Sequence, residues 1–182
     1  MSTSTQVSVP GYVAGAWAID AAHSDVSFQV RYFGVAKFCG SFDEFEGTIV
    51  TAENPLDSSV NAVIRTASVS TKNKGRDENL RQDDFLDVEQ YPTMTFSSTG
   101  VRVDGDKFLV DGDLTIRAVT KQVTLNLEFN GVGVGFNGRP LVGFSAYGEI
   151  SRNEFGVVGG PMAAAVSDKV KIALEVAAYK QD

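Results

Sequence analysis

The chain has 182 residues, a net charge of −7 and an isoelectric point near 4.7. This length suits one domain, and 43% hydrophobic with 21% charged residues is typical of a globular chain that buries a core. An acidic chain with no basic block is a poor partner for nucleic acid, because neutralising phosphates requires Lys and Arg on one face. The same composition disfavours attraction to an anionic membrane surface.

Cys39 is the only cysteine, so no intrachain disulfide can form, and we expect a small buried hydrophobe there. Residues 1–15 lack the basic and apolar regions of a secretory signal. No apolar run reaches the roughly 18 residues that would predict a transmembrane helix. We therefore expect a cytoplasmic protein with a disordered tail at 1–14 and a single domain at 15–182.

Alternating apolar and polar residues predict β-strands in the first part of the chain. Val26, Phe28, Val30 and Tyr32 would face one way. A second alternation in residues 38–49 shifts its register at Asp43 and Glu44, which indicates a bulge or bend of the kind that barrels need. A third strand is predicted over roughly residues 59–70.

Residues 75–96 are the one segment without a strand pattern, and they hold the densest cluster of charge. Helix-forming residues after Gly75 predict a short helix, with Asp77 and Arg81 on one face. We expect two helical turns, the second capped by Asp83, and an end at Tyr91 before Pro92. The segment is either a solvated connector or a cover over the open end of a sheet.

Further strands are predicted at 93–103, 107–117, 121–129, 141–151 and from 170 onward, while the Gly-rich segment 130–140 is predicted to be a loop. About eight strands with hairpin-length connections favour an all-β, antiparallel up-and-down barrel with one short helical insertion. A two-sheet sandwich is the alternative.

Motifs for catalysis are weak. His23 is the only histidine, and one His with one Cys do not make a zinc ligand set at known spacing, so no metal is expected. No phosphate-binding P-loop appears, so no cofactor is expected either. His23 either stabilises the start of a strand by hydrogen bonds or contacts a ligand. Asp83 and Asp84 are adjacent in sequence and would diverge on a helix, which favours solvation over a catalytic pair.

Twelve phenylalanines are many for this length, and five of them fall within the first two strands. Two interpretations remain open: a well-packed core, or an apolar tunnel for a long aliphatic ligand.

Several short phrases of the sequence form a recognisable set: Trp17-Ala18-Ile19-Asp20 with His23-Ser24; Val69-Ser70-Thr71; Arg76-Asp77 with Leu80; Asp84-Phe85-Leu86-Asp87; Tyr91-Pro92-Thr93-Met94-Thr95-Phe96; Gly112-Asp113-Leu114-Thr115-Ile116-Arg117 with Val119-Thr120-Lys121; and Ile150-Ser151-Arg152 with Phe155-Gly156. These phrases resemble the YceI family of polyisoprenoid-binding proteins, and their order and spacing are together quite specific over about residues 16–179.

The resemblance implies a lipocalin-like barrel that binds a long amphiphile, such as a polyprenyl pyrophosphate or a fatty amide, and it implies no established catalysis. Three departures stand out. Many members carry a secretory signal that is not found here. Asn79 replaces a histidine in the family's R-D-x-H-L phrase, and Ala118 replaces a usual glycine.

On these grounds we expect a non-enzymatic protein that stores or transports a long-chain isoprenoid or similar lipid, with a homodimer left open. The expected tunnel residues are Phe28, Val30, Phe38, Phe42, Phe45, Phe85, Leu86, Met94, Phe96, Leu114, Ile116 and Phe144. A polar headgroup would need donors, for which His23, Arg31 and Arg76 are the candidates. The alternatives are a lipid-modifying enzyme with His23 as base, and a structural or stress protein whose barrel is filled.

Overall fold

The computed structural model describes residues 9–181 and shows a closed, antiparallel β-barrel. The barrel has eight strand positions around its axis, which we call staves, and one stave can hold one strand or two. Neighbouring staves are consecutive along the chain, and pairing of the first with the last closes the ring. The predicted up-and-down barrel with one helical insertion is thus confirmed, and the sandwich alternative is not. In the described part of the chain, no helix has the length and apolar character needed to cross a membrane.

Each of the first three staves is interrupted once, so that they comprise six strands. The interruption between β3 and β4 falls at Asp43 and Glu44, as the register shift predicts. The six strands are β1 (Gly15–Ile19), β2 (Asp25–Tyr32), β3 (Ala36–Phe42), β4 (Phe45–Thr51), β5 (Ser59–Arg65) and β6 (Val69–Ser70).

Five long, uninterrupted strands complete the barrel. They are β7 (Thr93–Asp104), β8 (Lys107–Ile116), β9 (Val119–Val134), β10 (Pro140–Ser151) and β11 (Lys169–Lys180). The predicted loop over 130–140 is confirmed only for residues 135–139, because β9 continues to Val134. There its backbone pairs with the start of β10, and pairing outweighs the weak strand preference of glycine.

One short helix, α1 (Lys74–Leu80), lies between β6 and β7, and Asn73 caps it by accepting a hydrogen bond from the Arg76 amide. The predicted second helical turn is wrong, since residues 81–90 form irregular turns. Asp77 and Arg81 do not pair either. Asp77 accepts hydrogen bonds from the Thr71 amide and hydroxyl, while Arg81 donates to backbone carbonyls.

The barrel therefore has two distinct ends. We call the end at which α1 lies the helix end; it carries the connections 33–35, 71–92, 117–118 and 152–168. The opposite end carries the connections 52–58, 105–106 and 135–139 together with residues 9–14. Residues 1–8 of the predicted tail lie outside the described part. Within 9–14, the Tyr12 hydroxyl donates to the Ala52 carbonyl.

Candidate ligand cavity

A cavity of about 840 Å³ occupies the inside of the barrel between two clusters of buried side chains. At the opposite end, Trp17 is fully buried against Ile49, Val142 and Ala178. Its indole N–H donates to the Thr51 hydroxyl at 2.8 Å. The volume lies in the range of about 300–1,000 Å³ that is usual for small-molecule sites.

Strand alternation explains why the cavity is apolar. In β2, Val26, Phe28 and Val30 border the cavity, whereas Gln29 and Arg31 do not. Phe28 is only partly buried although it points into the barrel, because it faces the empty interior. In a filled barrel such a ring would be buried on all sides, so the filled-barrel alternative does not fit the geometry.

Two inward-facing glycines make room for aromatic rings at the wall. A Cβ at Gly40 would collide with the ring of Phe28, and one at Gly112 would collide with the ring of Phe96. Phe28 and Gly40 are directly paired across β2 and β3. The rings therefore lie flat along the wall, and this leaves the axis of the barrel free.

The cavity is long as well as wide. Strand β11 has 12 residues that run from one end of the barrel to the other. At roughly 3.3 Å per residue and a tilt of about 35–45°, this corresponds to a height of about 30 Å. The lining residues extend from Tyr12 and Phe108 at the opposite end to Arg76 and Met162 at the helix end.

The helix end is covered by the segment that the sequence singled out. Phe85 and Leu86 are buried there and border the cavity, so this segment covers the barrel and is not a solvated connector. Arg117 donates to the carbonyls of Asp83 and Phe85, and the Gly159 amide donates to the Asp84 carbonyl. These bonds tie the segment to two other connections at the same end.

The cover leaves one side of the helix end open, which we call the mouth. Six cavity-lining residues are exposed to solvent, and all six lie at this end. They come from the β2–β3 hairpin, from the start of α1 and from the 152–168 connection: Tyr32, Ala36, Asn73, Gly75, Asn79 and Met162.

Arg76 lies at the mouth, where it is half-buried and borders the cavity. Its Nε donates to the Thr71 hydroxyl at 2.7 Å, and its Nη2 donates to the Thr71 carbonyl at 2.8 Å. Its guanidinium also stacks on the ring of Phe38. Within residues 9–181, Nη1 makes no hydrogen bond and remains available to an anionic group.

All twelve expected tunnel residues border this cavity, but of the three expected headgroup donors only Arg76 does. Arg31 follows the alternation of β2 to the outer surface. His23 lies in the break between β1 and β2, with Nδ1 2.7 Å from Asp20 Oδ2 and its side chain 66% exposed. This placement fits the structural role for His23 and separates it from the cavity.

Sequence reasoning missed part of the mouth. Asn73 and Met162 border it from connections that carry no periodic pattern. Asn79, noted for its departure from the family's usual histidine, also borders the cavity. The prediction of a buried Cys39 is wrong, because Phe38 and Gly40 face inward and the residue between them must face outward.

Three groups have pKa values displaced by local contacts, and none of them borders the cavity. The hydroxyl of Ser151 and the Asn153 amide lower the pKa of Asp168, which holds the 152–168 connection. On the outer surface, hydrogen bonds from Arg102 and Thr124 lower the pKa of Asp111, and the same ion pair raises the pKa of Arg102. Among the described residues, no cluster of His, Cys, Asp or Glu could hold a metal ion.

Fold and site together define a hollow antiparallel barrel of the lipocalin type, with an apolar interior and a polar mouth at the helix end. The YceI-like domain model matches residues 17–178, and the chain belongs to this family.

Known relatives agree with this assignment. The protein YceI of Escherichia coli O157:H7 is 40% identical over 148 residues, which cover 80% of this chain and 78% of that protein. The crystal structure of the Campylobacter jejuni YceI protein has a TM-score of 0.73 at 32% identity, covering 90% of this chain and 96% of that one. A polyisoprenoid binding domain from Saccharophagus degradans has a similar fold, with a TM-score of 0.67 at 19% identity over 93% of this chain and 100% of that one.

Proposed function

We propose that this protein binds a long-chain isoprenoid or a similar amphiphilic lipid in the barrel and stores or transports it without chemical change. The observation that carries the proposal is the cavity of about 840 Å³, which is apolar along its length and opens at one end beside Arg76. Each methylene moved from water into such a site contributes about 0.8 kcal/mol. A long chain therefore supplies most of the affinity.

The mouth suits the polar end of such a ligand. The free Nη1 of Arg76 supplies a charged donor, and Asn79 adds a neutral amide next to the same opening. A phosphate or another anionic head would lie there, with the chain extended towards Trp17 at the far end. The similar barrel from Saccharophagus degradans, described as a polyisoprenoid binding domain, supports this class of ligand.

The geometry gives no support to the lipid-modifying enzyme. His23, the only imidazole of the chain, lies outside the cavity and is bonded to Asp20. A general base must reach the proton that it abstracts, within about 3 Å or through one water molecule.

The predicted cytoplasmic location and the homodimer stay predictions.

Mass spectrometry of an organic extract, together with the intact mass of the native complex, tests the proposal. We expect one polyprenyl or fatty species per barrel, or heat stabilisation of the empty protein on adding a polyprenyl phosphate. An extract without lipid, followed by no stabilisation with polyprenyl phosphates, polyprenols or fatty amides, would overturn it.

A further inference from the structure

The hairpin between β2 and β3 carries an apolar tip that the barrel does not bury. Phe33 is 62% exposed and Val35 is 85% exposed. The ring of Tyr32 meets that of Phe33 at a centroid distance of 4.6 Å, so that the two form one aromatic knob. Monomeric proteins rarely display contiguous apolar groups without a use for them.

Backbone conformation makes an aromatic residue at this tip more unusual. Phe33 has a φ of 50°, in the left-handed region that glycine and asparagine adopt most readily. A turn of this kind is best served by Asn followed by Gly, whereas here Phe33 precedes Gly34. Neither turn geometry nor core packing accounts for the aromatic side chain.

The knob is held in a fixed position. The Phe33 amide donates to the Ala165 carbonyl at 2.8 Å, and Tyr32 forms an isolated β-bridge with Val166. One step further down, Arg31 and Ser167 exchange two hydrogen bonds. The apolar tip is therefore presented to solvent by a braced hairpin, which loses little conformational freedom on binding a partner.

Basic residues surround the base of the knob. Arg31 and Lys37 are direct cross-strand partners, and neither makes a salt bridge within residues 9–181. Like charges in this position oppose strand pairing, so pairing alone does not explain them. Lys72 and Lys74 are exposed on the adjoining segment, which Arg76 connects to Phe38 of β3.

Acidic residues are missing from the two stretches of sequence that carry these four cations. No Asp or Glu occurs from Val26 to Phe42 or from Ser59 to Arg76, although the whole chain has a net charge of −7. The overall charge that disfavours an anionic membrane surface thus conceals a local basic region. An apolar tip with basic flanks is the usual arrangement of an interfacial membrane anchor.

We propose that the β2–β3 hairpin docks on the surface of an anionic phospholipid bilayer. Phe33 and Val35 enter the boundary between headgroups and acyl chains, while Arg31, Lys37, Lys72 and Lys74 contact the phosphates. A second copy of this chain fits less well, since symmetric contact would bring two Arg31–Lys37 pairs together.

Docking at this point places the cavity mouth against the membrane. Tyr32 belongs to the knob and Ala36 directly follows the tip of the hairpin, and both residues border the cavity. A lipid could then pass between bilayer and barrel without crossing water. This use of the docked state rests on the proposed function, whereas docking itself does not.

Flotation of the protein with vesicles of phosphatidylcholine, alone or mixed with phosphatidylglycerol, tests the proposal. We expect binding to the mixed vesicles that weakens as salt is added. The double variant Phe33→Asn/Val35→Ser should bind about tenfold less. Its turn is preserved, because asparagine suits the left-handed position. The variant Arg31→Gln/Lys37→Gln should lose the preference for anionic vesicles.

The matched control removes exposed apolar side chains from the other end of the barrel. Val134 and Phe136 are 76% and 83% exposed there, and Val134→Thr/Phe136→Ser should leave flotation unchanged. Thermal unfolding of each variant verifies that it is folded. Wild-type protein that does not float with mixed vesicles overturns the proposal. The proposal is also overturned if the Phe33→Asn/Val35→Ser variant floats as well as the wild type. It is overturned, too, if the wild type forms a dimer that this variant no longer forms.

The lipid content of the same proteins separates this proposal from the proposed function. If the protein yields extracted lipid but never floats with vesicles, membrane docking is rejected and the proposed function is not. If the protein floats with vesicles but yields no lipid and is not stabilised by polyprenyl phosphate, the cavity ligand is rejected and membrane docking is not.

Discussion

The guanidinium carbon of Arg76 lies 4.6 Å from the centroid of the Phe38 ring, so that α1 is docked on β3 at the mouth of the cavity. The same guanidinium donates twice to Thr71, whose hydroxyl in turn donates to Asp77. The arginine is thus held in place before any ligand arrives. A fixed donor loses little entropy on binding, which is what a headgroup site requires.

Arg76→Lys should separate charge from geometry at this site. Lysine keeps the positive charge but loses the planar fork and the stacking on Phe38. We expect the affinity for a polyprenyl phosphate to fall roughly five- to tenfold, about 1 kcal/mol. Affinity for the uncharged polyprenol of equal chain length should not change. Titration calorimetry with both lipids measures the difference.

Arg81→Lys is the matched control. Arg81 also donates to backbone carbonyls of the same region, those of Ala67 and Val69, but it does not border the cavity. Equal losses in the two variants would mean that Arg76 acts by holding the segment and not by contacting the headgroup.

Ala62→Phe should block the cavity without harming the wall. Ala62 borders the cavity in the middle of β5, paired with Gly47 of β4 and Phe96 of β7. A phenyl ring there fills empty space, so the melting temperature should hold while lipid affinity falls at least about tenfold. Thermal shift and lipid binding are measured on the same sample.

Ala173→Phe provides the comparison, since Ala173 lies on β11 and does not border the cavity. Its lipid affinity should equal that of the wild type. Unchanged affinity in Ala62→Phe would show that the chain of the ligand does not pass the middle of the barrel.

Phe85→Ala tests the cover at the helix end. Phe85 is 6% exposed and packs with Phe42, Leu114 and Phe155. Truncating a buried phenylalanine costs about 3–5 kcal/mol, and we expect the lower value because Phe85 already borders open space. Urea unfolding measures this loss, and bound lipid should also dissociate faster.

Phe136→Ala should change stability by less than about 0.5 kcal/mol, because Phe136 is 83% exposed. A loss of similar size in Phe85→Ala would mean that residues 81–90 contribute little to closing the barrel.

The alternation of apolar residues made the barrel and its interior predictable. The period of two assigns Phe28, Val30 and Phe38 to the inside irrespective of how strands pair, and all three border the cavity. The same rule, applied to Arg31 and Cys39, would have sent both outward. Arg31 has the chemistry of a headgroup donor, but its position in β2 places it on the outer surface.

Other features depend on tertiary contacts that no local pattern encodes. The Gly-rich end of β9 is a strand only because Leu141 and Val142 pair with it. The turns at 81–90 are irregular because Arg117 and Gly159 bind the carbonyls of Asp83, Phe85 and Asp84. Neither the volume of the cavity nor the position of its mouth follows from hydrophobicity alone, because both depend on how far side chains reach across the barrel.

Asp168 links the stability of the helix end to pH. The Ser151 hydroxyl donates to its carboxylate at 2.7 Å and the Asn153 amide donates at 3.0 Å, which lowers the pKa of Asp168 below its ordinary value. A lowered folded-state pKa adds stability above the unfolded pKa of about 3.9, and this contribution is lost as pH falls through the folded value.

Asp168→Asn should therefore reduce the free energy of unfolding by about 1 kcal/mol near neutral pH. Below about pH 4 the difference from wild type should shrink. Asp106→Asn, in the exposed turn between β7 and β8, removes the same formal charge and should stay close to wild type across the range. Urea unfolding from about pH 7 to pH 2.5 follows all three proteins, and a constant gap between wild type and Asp168→Asn would contradict a role for the ionised carboxylate.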